Sequence, residues 1–343
     1  MNNSESIYEF AKLIQKVHFK SEKQDRANDF YKQAISNGNL KAMYKYGVQL
    51  YKSKSNNSQK EGLKLIKQSA DSGNTKAMYY YGTIIESEND DDKSESMKYF
   101  KRAADEGEAK SMNKYGIKLL KYLRSLPKEM NKSECIRYLK KASDKGFIES
   151  MYEYGMILYD GDSFIKPKVK EGSRYVRIAA EEGFADALGG YASMLAEGKS
   201  FEANIDEALK YYERAISKGS AVAMNDYAFI IESGYGVAVD YKKAAKYYKM
   251  AINKGYALSM NNYGQLLGQG IGVKADYKKS IKYIKMAADK GNEFGLYNYA
   301  FMLENGKGCE VNYKEAIKYY KMAIDKGFSD AIDNYATMLR EGK

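Results

Sequence analysis

Side chains that could do chemistry are scarce in this 343-residue sequence, and their spacing does not assemble an active centre. One histidine, His18, is present, so an imidazole acid/base site would rest on that residue alone and a His-rich metal site is excluded. The two cysteines, Cys135 and Cys309, stand 174 positions apart and belong to no CxxC pair or disulfide framework. They read as helix-face or loop thiols in a reducing compartment. Glycine-rich turns such as GQGIGV (Gly268 to Val273) resemble phosphate loops in composition only, because no GKS or GKT follows and helices flank them on both sides. No catalytic residue, cofactor or metal is expected, and the chain reads as a non-enzyme.

What remains are charges and amides at helical spacing. Lys110, Lys114, Lys118 and Lys121 stand four, four and three residues apart and form one stripe of one helix. They lie in a window, Glu108 to Gly146, with eleven Lys or Arg against four acids, which accounts for +7 of the formal net charge of +11. The expectation is a single positive patch on an otherwise near-balanced chain. A track for RNA would need charge along the whole length. The stripe is therefore expected to meet an acidic segment of a protein partner. Its rivals are a plain solvated face and an RNA-binding repeat protein using the patch at 108–146.

Asn113, Asn225, Asn261, Asn262, Asn298 and Asn334 form the second set. Asn is a poor helix-interior residue, so its recurrence asks for a reason. An amide ladder could exchange hydrogen bonds with an extended peptide backbone. The competing reading is a compositional bias toward Asn, Lys, Tyr and Ile. Peptide binding by the ladder predicts that alanine at Asn225, Asn261 and Asn298 costs affinity and leaves the melting temperature unchanged.

A repeat positions these residues. Two prolines in the whole chain point to a mostly helical fold. Glycines recur at Gly38, Gly73, Gly107, Gly146, Gly183, Gly219, Gly255, Gly291 and Gly327, a mean spacing of about 36. The eighth residue after every marker is tyrosine (Tyr46, Tyr81, Tyr115, Tyr154, Tyr191, Tyr227, Tyr263, Tyr299, Tyr335), followed always by Gly or Ala. The candidate Asn and Lys residues fall largely six and seven positions after a marker, on helix positions not needed for packing.

Each unit reads as two helices. The first carries a small residue, Met or Leu, the Tyr, and Leu or Ile at helical spacing. The Gly or Ala beside the Tyr lets the second helix approach closely. The second helix has an aromatic or Leu eight positions before the marker, and its Tyr residues are expected to pack between helices with phenols reaching solvent or a backbone carbonyl. Ser58, Asp92, Asn131, Asn204, Asp240, Asp276 and Asn312 suit N-caps, and Glu follows three residues later at Glu61, Glu95, Glu134, Glu207 and Glu315, as in a capping box. The marker glycine ends the helix as a left-handed C′ residue.

The Tyr-Gly/Ala pair, the Ala-Ala or Ala-Ile ending before the marker, and the Gly-x-Gly connections at Gly234/Gly236, Gly270/Gly272 and Gly306/Gly308 resemble Sel-one-like (SLR) repeats of the tetratricopeptide-like superfamily. The first five units lack the double glycine and use variable loops such as Glu88 to Asp92 and Arg124 to Lys132. The resemblance implies a right-handed all-α superhelix and an adaptor that binds a protein or peptide on its concave face. The expected layout is one solenoid over 1–343, with a degenerate repeat at 4–38, repeats at 39–73, 74–107, 108–146, 147–183, 184–219, 220–255, 256–291 and 292–327, and a half repeat at 328–343. No apolar run of about 18 residues exists and the first ten residues lack a signal-peptide pattern, so the expected address is the cytoplasm or nucleus.

Overall fold

A computed structural model describes residues 3–17, 21–88, 93–126 and 131–343. Among these, nineteen α-helices are present, and the extended pairing is limited to one isolated bridge between Asp162 and Ile165. The helices form two compact units, residues 1–168 and 169–343. The first unit contains α1 (Asn3–Val17), α2 (Ser21–Ser36), α3 (Leu40–Tyr51), α4 (Asn56–Asp71), α5 (Thr75–Glu88), α6 (Lys93–Asp105), α7 (Ala109–Ser125), α8 (Ser133–Ser143) and α9 (Ile148–Asp160). The second contains α10 (Val169–Glu181), α11 (Ala185–Glu197), α12 (Ile205–Ser217), α13 (Ala221–Ser233), α14 (Tyr241–Asn253), α15 (Ala257–Gln269), α16 (Tyr277–Asp289), α17 (Glu293–Asn305), α18 (Tyr313–Asp325) and α19 (Asp330–Arg340). Odd-numbered helices are the first helices of the repeats and even-numbered ones the second. Within each unit every helix packs on its neighbours in sequence, as in a repeat-helix solenoid.

The helix ends explain why the period is so regular. All nine marker glycines have φ between 74° and 105°. The residue after the marker serves two helices at once. Ser220, for example, donates its N–H to the Ala215 carbonyl at 3.1 Å, closing α12 in a Schellman motif, and its Oγ accepts from the Ala223 N–H at 3.2 Å, opening α13. Asn292 does the same between Ala287 and Gly295.

Second-helix caps match the sequence in the second unit and shift in the first. Asn204, Asp240, Asp276 and Asn312 each accept from the N–H three residues on. The reciprocal half of the capping box is absent there. The cap N–H groups instead donate to Leu195, Ile231, Leu267 and Leu303, near the ends of the preceding first helices. That bond ties the connection down, so the Glu is not required to reach back. In the first unit Ser55, rather than Ser58, caps α4, because the helix begins at Asn56. Asn131 accepts from the Ser133 N–H at 2.9 Å, one position outside the cap of α8. Asp92 and His18 lie outside the described residues, as do 89–91 and 127–130 of the two variable loops.

Tyrosines dominate the core as expected. Tyr81, Tyr115, Tyr191, Tyr227, Tyr263 and Tyr299 each meet the second-helix aromatic of their own hairpin edge to face, with ring centroids 4.7–5.1 Å apart. Such pairs contribute roughly 0.5–1.5 kcal/mol each beyond area burial. Their phenols depart from the expectation. Tyr99 donates to Asp71 at 2.6 Å, Tyr138 to Asp105, Tyr248 to Glu232 at 2.6 Å and Tyr320 to Glu304 at 2.8 Å, so carboxylates take the place of carbonyls and solvent. Close approach is real: a Cβ on Gly264 would stand 2.5 Å from Ile284 Cγ1, and one on Gly62 only 2.4 Å from the Tyr51 nitrogen.

Candidate interaction surface

The first helices carry the candidate residues. In the second unit the asparagines do form a ladder, and its rungs run between repeats. Asn225 Oδ1 accepts from Ser259 Oγ at 2.8 Å and from Asn262 Nδ2 at 3.3 Å, joining α13 to α15. Asn261 Oδ1 accepts from Asn298 Nδ2 at 2.8 Å, joining α15 to α17. Asn334 Nδ2 reaches the Tyr297 hydroxyl at 3.2 Å and the Tyr320 hydroxyl at 3.1 Å, joining α19 to α17 and α18. Asn113 on α7 accepts from Ser150 on α9 at 2.7 Å.

Burial then divides the set. Asn225 and Asn261 are each only 2% exposed, so in this arrangement they cannot face a peptide and their amides serve the helix interfaces. Asn113, Asn262, Asn298 and Asn334 are half-buried and reach the surface of the row. Sequence spacing alone missed this division, because positions six and seven after the marker straddle the edge of the interface.

The lysine stripe on α7 is likewise partly spent. Lys114 and Lys118 both pair with Glu86 of α5, at 3.1 and 2.5 Å. Burial works to raise the Glu86 carboxyl, but hydrogen bonds from Lys118 and Lys114 outweigh it and hold the group below its usual range. Lys110 stands 6.0 Å from the Tyr79 ring centroid. Lys118 and Lys121 border a groove of about 810 Å³ with Met97, Leu119 and Tyr122. Elsewhere in the 108–146 window, Arg124 pairs with Glu153, Lys132 with Asp162 and Arg137 with Asp105. Acids of neighbouring repeats thus offset much of the excess counted within that window.

Positive charge is also not confined to one patch. Helices α14 and α16 hold eight lysines against one acid, Asp289. In a repeat-by-repeat count Asp226 and Glu232 of α13 mask part of this for α14, whereas α15 carries no acid; α11 and α17 add Asp186, Glu197, Glu293 and Glu304, and none of these four first helices contains Lys or Arg. Part of the second-helix charge has a structural reason. Lys67, Lys101, Lys249, Lys285 and Lys321, each six residues before a marker, stand 5.1–6.0 Å from the centroids of the repeat tyrosines Tyr81, Tyr115, Tyr263, Tyr299 and Tyr335.

Both cysteines are free. Cys135 is buried, and desolvation pushes its thiol up to about 11, which makes it an inert packing residue. Among the described residues no group of three or more His, Cys, Asp or Glu is placed to hold a metal, and no helix is long and apolar enough to cross a membrane.

The Sel1 repeat pattern matches residues 109–147, 148–184, 185–220, 221–256, 257–292 and 294–328, and a pattern described as plant tetratrico peptide repeats matches 14–116. The chain belongs to the Sel1 repeat family. Among solved structures it is similar to a Sel1 repeat protein from Oxalobacter formigenes, with 21% identity, a TM-score of 0.65, and coverage of 97% of this chain and 93% of that one. It is also similar to a protective antigen of uropathogenic Escherichia coli strains that displays an SLR fold, with 20% identity, a TM-score of 0.62, and coverage of 91% and 67%. No curated protein matches the sequence. Sel1 and tetratricopeptide-like repeats generally serve as non-catalytic scaffolds for protein interaction.

Proposed function

We propose that this chain is a non-enzymatic adaptor that binds a protein or peptide along its row of first helices, the face expected to be concave. One observation carries the reading. The first helices of the second unit leave a face on which Asn262, Asn298 and Asn334, although each donates to a neighbouring helix, are only half-buried, and on which Phe229 is exposed. Asn113 and the stripe Lys110, Lys114, Lys118 and Lys121 are the contacts assigned in the first unit, where an acidic segment of the partner meets the lysines. Asn225 and Asn261 hold this surface in shape from beneath. Residues 1–343 are proposed to act as one array, supported by the sequence period, which continues past residue 168 with Gly146 and Gly183 37 apart. The place of action assigned is the cytoplasm, supported by two unpaired thiols.

Purification of the full chain from its native cell with mass spectrometry identifies the partner, and quantitative binding then tests the face. Alanine at Asn262 and Asn298, or Glu at Lys110, Lys114 and Lys118, should weaken the purified partner's binding while the fold is retained. Unchanged affinity and salt dependence in both variants would end the reading. RNA shifted in a gel at both low and high salt, with no protein partner recovered, would favour the RNA-binding alternative.

A further inference from the structure

The second unit contains a groove whose chemistry is specific enough to name what enters it. About 440 Å³ of space lies between α11 and α13, floored by Tyr212 of α12 and walled by Ser193, Glu197, Asp226, Phe229 and Tyr235. Phe229 is 58% exposed and Tyr235 53%, an unusual exposure for two large rings beside one cleft. Ser193 Oγ and the Tyr212 hydroxyl satisfy one another at 2.9 Å. Glu197 reaches Lys199 at the rim at 2.9 Å.

Asp226 is different. Its Oδ1 accepts from the neighbouring Asn225 amide at 3.1 Å, and among the described residues no lysine or arginine pairs with it and its second oxygen receives no hydrogen bond. A carboxylate has roughly four acceptor positions, so most of its capacity is unspent. Desolvation raises the carboxyl above its usual range, with the Asn225 amide working against this. The absence of any Lys or Arg from α11, α13, α15 and α17 means that no intramolecular cation on those helices competes for the site.

We propose that this groove takes an arginine side chain of an extended segment of the partner, and the proposal rests on the scaffold reading above. A guanidinium is planar, always charged and weakly hydrated, so it can lie against the Phe229 and Tyr235 rings while its N–H groups reach the free Asp226 oxygen. Lysine offers a point charge without the stacking plane. An acidic segment or a nucleic acid backbone would meet Asp226 and Glu197 as like charges.

The test uses the full chain and fluorescein-labelled twelve-residue peptides of four Gly-Ser-X triplets, with X as Arg, Lys, citrulline or Glu, read by anisotropy. The Arg peptide is expected to bind best. Citrulline keeps the shape and removes the charge, and Asp226→Asn removes it from the protein; each should lower affinity by about tenfold, as the loss of one charge-assisted contact implies. Phe229→Ala, at an exposed ring, should weaken Arg binding several-fold, and Glu197→Gln less. Circular dichroism checks that each variant is folded. Equal binding of the Arg and citrulline peptides, equal binding of the Lys peptide, preference for Glu, or unchanged affinity in folded Asp226→Asn would each overturn the proposal. If Asp226→Asn has no effect but the native partner is still lost from the Lys110/Lys114/Lys118 variant, this groove fails and the scaffold stands. Arg-specific peptide binding with no first-helix dependence of the native partner is the reverse case.

Discussion

Two carboxylates on first helices, Glu86 in the first unit and Asp226 in the second, occupy partly buried positions and have opposite circumstances. Two lysines of α7 hold Glu86 ionised, so its charge is spent inside the molecule. Among the described residues Asp226 has one amide partner and no cation, and burial makes its ionised form the costly one. The contrast extends along the rows. In the first unit polar groups between first helices are joined largely by ions, as at Glu86 with Lys114 and Lys118 and at Arg124 with Glu153. In the second they are joined by neutral amides and hydroxyls from Asn225 to Asn334. Amides can satisfy one another without a charged partner, so Asp226 is not drawn into an ion pair between these helices, while Glu232 and Glu304 accept from Tyr248 and Tyr320.

The largest expected effect belongs to the amide ladder. Asn225→Ala and Asn261→Ala should each destabilise the fold by about 1–3 kcal/mol in urea titrations, since each strands buried or half-buried donors. Melting temperatures unaffected by either change would return these two residues to the peptide-binding role expected from sequence. Glu86→Gln should cost about 0.5 kcal/mol at neutral pH once solvent screening is allowed for, and the difference from the parent should shrink at high salt. Because the folded carboxyl lies below its ordinary value, the Glu86 contribution is present above the unfolded pKa and disappears as pH falls through the folded one.

Asp226→Asn should show the opposite sign. A carboxyl raised in the folded state favours stability at low pH and loses that contribution as pH rises through its folded pKa. The variant should therefore melt at or above the parent temperature at pH 7 and match it near pH 3; a lower melting temperature at pH 7 would show that Asp226 has a stabilising partner after all. The smallest effect belongs to the outer layer. Lys285→Met over Tyr299 should cost about 0.5 kcal/mol in a double-mutant cycle, the range of an exposed cation–π contact.

Much of the fold was legible because each local requirement recurs nine times. Gly at the left-handed C′ position, Tyr eight residues later and a small residue beside it are dictated by backbone sterics and helix separation, which the chain states explicitly at every period. The capping boxes were half legible. Asn204 and Asp240 are caps as their residue types require, but where the cap N–H donates depends on a carbonyl in the other helix, which no local pattern records. The tyrosine partners show the same limit, since Asp71 lies 28 residues before Tyr99 and meets it only through packing.

By itself, then, the sequence determined the repeat, its two helices, their ends, the tyrosine core and the kind of protein this is, because all of these follow from short-range sterics and hydrophobic periodicity. Tertiary structure alone decided which amides are buried, which lysines are already paired and that Asp226 has no cation beside it among the described residues. Those outcomes depend on side chains from adjacent repeats, often 30 to 37 positions apart, arriving within hydrogen-bonding distance of one another. The net charge of +11 is the clearest instance. A count along the chain locates an excess at 108–146, whereas the packed helices place lysines on α14 and α16 and acids on the first helices beside them, and an ion or amide acts through distance in space rather than through position in sequence.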